Sequence, residues 1–292
     1  MDDAVPTTPV AGPRADRRPV DGACVPAGRI GGHERHVRHS RDEIRQMMMA
    51  AGLEILEERG LGVAVGDLTF KRVFDRIDST RGVRLTNASV IRRVWENQAA
   101  FQDDVLAEVA LAGDGHAEVA QLVEELAETI DSIDRSTVEG RLRGLSELAR
   151  VGGEAGLRTL TTSRRWALWV GIWVLAVTSP ASERGRRIRQ ALYDGYESST
   201  EQWCGLYGAL HSHLGVRLRS PYTLRQMVIL TGALIEGDAL RHGAGKGGGT
   251  VLRPTGPGGE LQEWTLYSVG LEAMANQFLE IDPEWEGPEG AG

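Results

Sequence analysis

The sequence predicts an all-α protein, and three observations carry that expectation. From Ser40 onward, apolar residues recur at i, i+3, i+4 and i+7 in one segment after another. Most of those segments open on a Ser, Thr, Asp or Asn able to cap a helix. Proline is scarce in the middle of the chain, which favours helices there.

The totals set bounds. A chain of 292 residues suits two modest domains, or one domain with long tails. Hydrophobic residues make up 41%, enough for a sizeable core. Cys24 and Cys204 are far apart in unlike contexts, which argues against a disulfide framework and points to a reducing cytoplasm. No Cys/His spacing suggests zinc, so neither metal nor cofactor is expected. No apolar run near the N-terminus resembles a signal peptide. The longest apolar run, Trp166 to Val177, is too short for a bilayer, and no membrane partner is expected.

Charge is uneven. The net charge is −8, yet residues 1–100 carry 16 basic against 14 acidic side chains, and residues 101–292 carry 17 against 27. Within residues 68–95 there are seven Lys or Arg and two Asp. Such a local basic stripe fits polyanion binding; an Arg-rich solvated face is the plainer alternative.

The elements follow in order. Residues 1–39 mix Pro, Gly, Asp and Arg without an apolar period and read as a disordered basic arm, with Arg14, Arg17, Arg18, Arg29, Arg35 and Arg38. Ser40 and Glu43 form a capping box for a first helix with Ile44, Met47, Met48, Ala51 and Ile55 inside, stopped by Gly60. Asp67 is placed to cap a second helix that buries Phe70, Val73, Phe74 and Ile77. Asp78 to Gly82 is a turn. Thr86 then caps a third helix, Asn87 to Trp95, with Val90, Ile91, Val94 and Trp95 inward.

The free face of that third helix carries Asn87, Ala88, Ser89, Arg92 and Arg93. Arg pairs with guanine, Asn with adenine, and small residues allow close approach, so the face suits a major groove. Lys71, Arg72 and Arg76 of the second helix are candidate phosphate contacts, and Arg84 and Thr86 complete the candidate DNA-binding set. Asn97 caps a fourth helix holding Phe101, Val105, Leu106 and Val109.

The run from Leu85 to Phe101 resembles the end of the DNA-binding domain of TetR/AcrR-type bacterial regulators. Thr86, Trp95, Asn97, Gln98 and Phe101 match the family's pattern. Two features depart from it: the usual Tyr of the recognition helix is replaced by Ile91 or Arg92, and the turn from Asp78 to Leu85 is long. The resemblance implies a helix-turn-helix head over residues 40–112. It also implies a helical ligand-binding and dimerisation body over 113–282, homodimers on double-stranded DNA, and a small-molecule effector.

In the body, Gly113 to Gly115 breaks the fourth helix, and helical patterns follow at 116–130 and 138–150. Ser163 caps a Trp-rich helix, Arg164 to Thr178. A long helix, Glu183 to His213, carries Leu192, Tyr196, Ser199, Trp203, Leu206 and Leu210 on one stripe. Another runs from Tyr222 to His242. The glycine-rich stretch 243–259 reads as a flexible loop, because no phosphate-cradle motif follows a strand there. A last helix is expected over 260–281, with Trp264, Tyr267, Leu271, Met274, Phe278 and Ile281 near an a/d seam, and 283–292 as a disordered tail.

No GxSxG, HExxH or dinucleotide fingerprint is present, so an enzyme is not expected. His211 and His213 are two apart and make a poor metal pair. Trp166, Trp169 and Trp173 share one helix face; Tyr196, Trp203 and Tyr207 share another. These are either ordinary core or the walls of an apolar ligand pocket, and the resemblance favours the pocket. Glu236 is either a buried acid on its floor or an exposed neighbour of Asp238. Leu224, Met227, Leu234, Trp264, Tyr267, Leu271, Met274 and Phe278 are candidate dimer contacts, although packing within one subunit gives the same spacing. The reading that emerges is a cytoplasmic homodimeric repressor; a helical ligand-binding protein that no longer reads DNA is the alternative.

Overall fold

Ser40 opens α1 (Arg41–Arg59) with a reciprocal cap. Its hydroxyl accepts from the Glu43 N–H at 3.1 Å, and the Glu43 carboxylate accepts from the Ser40 N–H at 2.7 Å. The computed structural model describes residues 39–61, 66–90, 93–112, 116–178, 182–255 and 259–287. The arm at 1–38 and the break at 113–115 therefore lie outside the described residues. Within them the protein is mostly helical, with two small antiparallel strand pairs. Among the described residues no helix is long and apolar enough to cross a membrane.

The first four helices make the head. Helix α1 buries Ile44, Met48, Ala51, Ile55 and Leu56 and ends at Gly60, whose φ of 72° suits glycine. Helix α2 (Phe70–Arg81) is capped by Thr69, not by Asp67: the Thr69 hydroxyl accepts from the Arg72 N–H at 3.3 Å. Asp67 is drawn away by charge and pairs with Arg59 at 2.7 Å and with Arg72. Burial pushes its carboxyl up, but the two guanidiniums outweigh that and hold it below the ordinary value.

Helix α3 is described over Asn87–Val90 of the expected Asn87–Trp95, and residues 91–92 lie outside the described residues. The Val94 N–H still meets the Val90 carbonyl at 3.0 Å, and Trp95 stands beyond the helix. Trp95 leaves helical geometry because its indole is claimed elsewhere. The ring meets Phe101 edge-on at 4.9 Å, and Nε1 donates to Asp104 Oδ2 at 2.9 Å. Helix α4 (Gln98–Ala112) starts as expected, with Asn97 Oδ1 accepting from the Ala100 N–H at 2.9 Å.

The body follows as α5 (His116–Asp131), α6 (Val138–Thr162), α7 (Arg164–Thr178), α8 (Glu183–Leu214) and α9 (Leu224–Gly243). Ser163 caps α7, as its Oγ on the Trp166 N–H at 3.1 Å shows. Thr223 and Gln226 form a capping box for α9. Helix α8 ends on Gly215 in the left-handed region.

The chain after α9 departs from expectation. Residues assigned to loop and helix form a hairpin, β2 (Thr250–Pro254) against β3 (Leu261–Thr265), with Val251 opposite Trp264. Trp264 is held there by its Nε1 bond to Thr255 Oγ1 at 2.9 Å and by Arg253 over its ring at 4.4 Å. The last helix, α10 (Leu266–Phe278), begins only where the Thr265 hydroxyl accepts from the Ser268 N–H at 3.0 Å. After Phe278 the chain extends as β4 (Leu279–Ile281) and pairs with β1 (Val216–Leu218), Val216 opposite Ile281. The expected seam from Trp264 to Ile281 is thus broken at both ends. Part of the expected tail is docked: Trp285 Nε1 donates to the Ser212 carbonyl at 2.9 Å. Its ring covers the buried Arg141, which donates to the Gly215 carbonyl at 3.1 Å.

One apolar cluster runs from head to body without a break, from Ile44, Ile55 and Phe101 to Trp166, Trp169 and Leu192. A second, around Leu126, Leu148, Met227 and Phe278, fills the far end. Head and body approach each other closely at Gly195 of α8. A Cβ built there would lie 2.7 Å from the Ala110 carbonyl oxygen and 3.0 Å from that of Leu111, both backbone atoms of α4. Gly205, on the same helix, has nothing within 4 Å of such a Cβ. In thermal unfolding, Gly195→Ala is therefore expected to lose about 1–3 kcal/mol by forcing the helices apart. Gly205→Ala is expected to gain roughly 0.5–1 kcal/mol from helix propensity alone.

Candidate functional site

Two regions hold the expected functional residues, one on the head and one inside the body. On the head, α2 and α3 meet in a shallow cleft lined by Lys71, Asp75, Asn87 and Gln98. Lys71, Arg84, Thr86, Asn87 and Arg93 are exposed, as a DNA-reading face requires. Arg84 reaches Asp78 only at 3.5 Å and is 88% exposed. The Ser89 side chain and all of Arg92 lie outside the described residues.

Three other cations of the basic stripe are spent within the head. Arg72 pairs with Asp67, Arg76 grips both Glu58 carboxylate oxygens, and Arg81 reaches Glu54 at 3.4 Å. The Arg76 pairing holds the Glu58 carboxyl below its ordinary range. Arg72 thus faces the solvent as half of an ion pair.

Asp104 of α4 joins the head to α8. Its Oδ2 accepts from the Trp95 indole at 2.9 Å and from Arg45 of α1 at 2.9 Å; its Oδ1 accepts from Arg187 of α8 at 2.7 Å. Arg184, one turn earlier on α8, pairs with Asp103 at 2.7 Å.

Within the body, α5, α6, α8, α9 and α10 line a partly open cavity of about 390 Å³. This lies in the size range of small-molecule sites. Four of the seven expected pocket residues line it: Tyr196, Trp203, Tyr207 and Glu236. The sequence left Glu236 open between buried and exposed, and the structure places it at the cavity. The Tyr196 hydroxyl donates to its carboxylate at 3.2 and 3.4 Å. Burial raises the Glu236 carboxyl above its ordinary value, and the Tyr196 bond offsets that only in part.

The α7 tryptophans do not line the cavity. Trp166 and Trp169 are buried in the cluster shared with the head, where neither indole N–H finds a hydrogen-bond partner. Trp173 is 43% exposed. They share one stripe, but that stripe packs toward the head. Trp169 still touches the wall from behind, edge-on to Tyr196 at 5.0 Å.

The cavity also contains residues not anticipated there. Tyr267, expected at a dimer surface, lines it, and burial drives its phenol well above the ordinary range. Burial takes the Tyr207 phenol up to about 12 despite its contact with Thr231. His211 stacks near Tyr207, their rings 6.5 Å apart, and burial lowers its imidazole to about 4. The signal was present in the spacing: His211 follows Tyr207 by four residues on the same helix face. His213 turns away to Arg135, 2.7 Å distant. Among the described residues no group of three or more His, Cys, Asp or Glu is placed to hold a metal ion.

Of the expected dimer contacts, Met227, Trp264, Tyr267 and Phe278 are buried within the chain itself and offer no outer surface. Leu224, Leu234, Leu271 and Met274 are partly buried. The exposed apolar residues of α9 are instead Ile229, Leu230 and Leu240, at 48–51% exposure. Leu230, Gly237 and Leu240 mark its outer face, while the exposed Ile229 and Ala233 also line the cavity.

No protein-family model matches the chain, and no curated protein matches it. Among solved structures it is similar to one provisionally described as a transcriptional regulator from Saccharomonospora viridis in complex with choline. The identity is 16% and the TM-score 0.42, over 82% of this chain and 99% of the other. A likeness this loose leaves function to be read from the chain's own geometry.

His211 gives the cavity a pH signature. Its imidazole falls from 6.5 to about 4, so on acidification the unfolded chain takes the proton first. The stabilising contribution is complete above pH 6.5 and is lost as pH falls toward 4, at most about 3 kcal/mol. Urea unfolding across that window should show His211→Asn losing less stability than the parent protein.

Proposed function

We propose that this chain is a TetR-like DNA-binding transcriptional regulator and not an enzyme. It acts as a cytoplasmic homodimer that represses until a small apolar molecule enters the cavity. The observation that carries this reading is that head and cavity share one helix. Helix α8 meets α4 backbone to backbone at Gly195 and reaches Asp104 through Arg187, and the next residue, Tyr196, forms the cavity wall. A ligand that prefers one position of α8 biases the head by its differential affinity and by no more.

The head supplies the reading face. Lys71, Arg84 and Arg93 meet phosphates, while Thr86 and Asn87 stand at the start of α3, where base edges come within reach. The dimer closes over the exposed face of α9 at Leu230 and Leu240, beside the cavity-lining Ile229, and this face replaces the buried seam as the self-association surface. Two heads held together gain affinity for paired half-sites.

The rival reading is a ligand-binding helical protein whose head does not read DNA. What favours it is the use of Arg72, Arg76 and Arg81 in ion pairs within the head, which removes much of the net basic charge.

Selection of sites from random double-stranded DNA, followed by anisotropy titration, separates the two. Paired half-sites are expected, with affinity falling steeply with salt. Lys71→Ala and Arg93→Ala should each weaken all sequences alike and flatten the salt slope by about one unit. Asn87→Ala should instead relax preference at one position, worth about 1–3 kcal/mol. No enrichment and no binding at low salt would leave the rival reading standing.

A further inference from the structure

Among the described residues the cavity holds a carboxylate, a neutral imidazole and no ammonium or guanidinium group. Among them Glu236 is the one carboxylate on its lining, and neither Lys nor Arg appears there. The one basic side chain, His211, is kept neutral at physiological pH by its burial. The remaining wall is mainly aliphatic and aromatic, with Tyr196, Trp203, Tyr207 and Tyr267 presenting rings or phenols. An ionised carboxylate in such surroundings is costly unless a positive charge meets it. The protein supplies only the Tyr196 hydroxyl.

We propose that the cavity binds a bulky hydrophobic monocation, an amine or quaternary ammonium carried on a large apolar body, with Glu236 as its counter-ion and the aromatic rings as its cage. This rests on the cavity being a ligand site, and it specifies the ligand's charge. Three features converge. The charge balance of the lining lacks one positive charge. Electron-rich ring faces attract cations, most strongly where water is excluded. The volume of about 390 Å³ exceeds what a small ammonium group fills, so the apolar body provides most of the contact. The raised carboxyl of Glu236 agrees, since a bound cation would restore its ionised form.

Calorimetric titration of the full chain tests this with four probes. They are phenylbutyltrimethylammonium, its uncharged isostere with a quaternary carbon in place of nitrogen, phenylhexanoate, and choline. The arylalkyl cation is expected to bind at least about tenfold tighter than its carbon isostere, and tighter than both phenylhexanoate and choline. In Glu236→Gln, checked for native helicity, the preference for cation over isostere should fall toward one. Equal or tighter binding of the isostere or the carboxylate in the parent protein would overturn the cation while leaving the cavity a ligand site. An unchanged preference in the variant would overturn Glu236 as the counter-ion. Tighter binding of choline than of the arylalkyl cation would overturn the bulky apolar body. Silence from all four probes would overturn both the cation and the ligand site.

Discussion

One carboxylate ties three parts of this molecule together. Asp104 accepts from Trp95 just past α3, from Arg45 on the first helix and from Arg187 on the longest. Hydrogen bonds to a charged acceptor are stronger than neutral ones, and their geometry is directional. Trp95, which follows α3, is fixed by Asp104 and Phe101. The head therefore does not hang from the body on a linker. It is built around an acid that the body also holds. The unbroken apolar cluster from Ile44 to Leu192 has the same consequence in packing terms.

The long helix α8 works as a shared wall. Its N-terminal turns carry Arg184 and Arg187 to the acids of α4, and its middle abuts α4 at a glycine. From Tyr196 onward the same helix faces the cavity. Tyr196 itself has two neighbours with different loyalties: Glu236 in the cavity and Trp169 in the core shared with the head. Densely packed interiors transmit displacement, because they hold few voids to absorb it. A change at Glu236 is thus one side chain away from a ring that packs with the head.

Much of this was legible in the sequence where the signal is local. The caps at Ser40, Asn97 and Ser163 each depend on a residue and its neighbour three positions on, and each helix begins where its cap requires. Tyr196, Trp203 and Tyr207 also fell on the stripe that the structure turns to the cavity. What failed depends on partners distant in sequence. The α7 tryptophans share a face, but periodicity cannot say whether that face meets a cavity or the head. Asp67 satisfied the pattern of a cap, yet Arg59 and Arg72 compete for its carboxylate. Trp264 sat at helical spacing, but Arg253 and Thr255 hold it in a strand. The restart at Thr265 was marked by its own capping hydroxyl, a local signal overlooked beneath the longer pattern.

The C-terminal stretch carries a practical consequence for handling this protein. Trp285 lies over Arg141 at 4.9 Å and reaches back to the carbonyl of Ser212, near the end of α8. Arg141 in turn caps the Gly215 carbonyl from within the core. A purification handle spliced in directly after Ile281, or trimming back to that residue as though the remainder were dispensable, would uncover a buried guanidinium at the foot of the helix that forms the cavity wall. Affinity handles and truncation boundaries are best placed beyond Gly287, with Trp285 kept as part of the folded body.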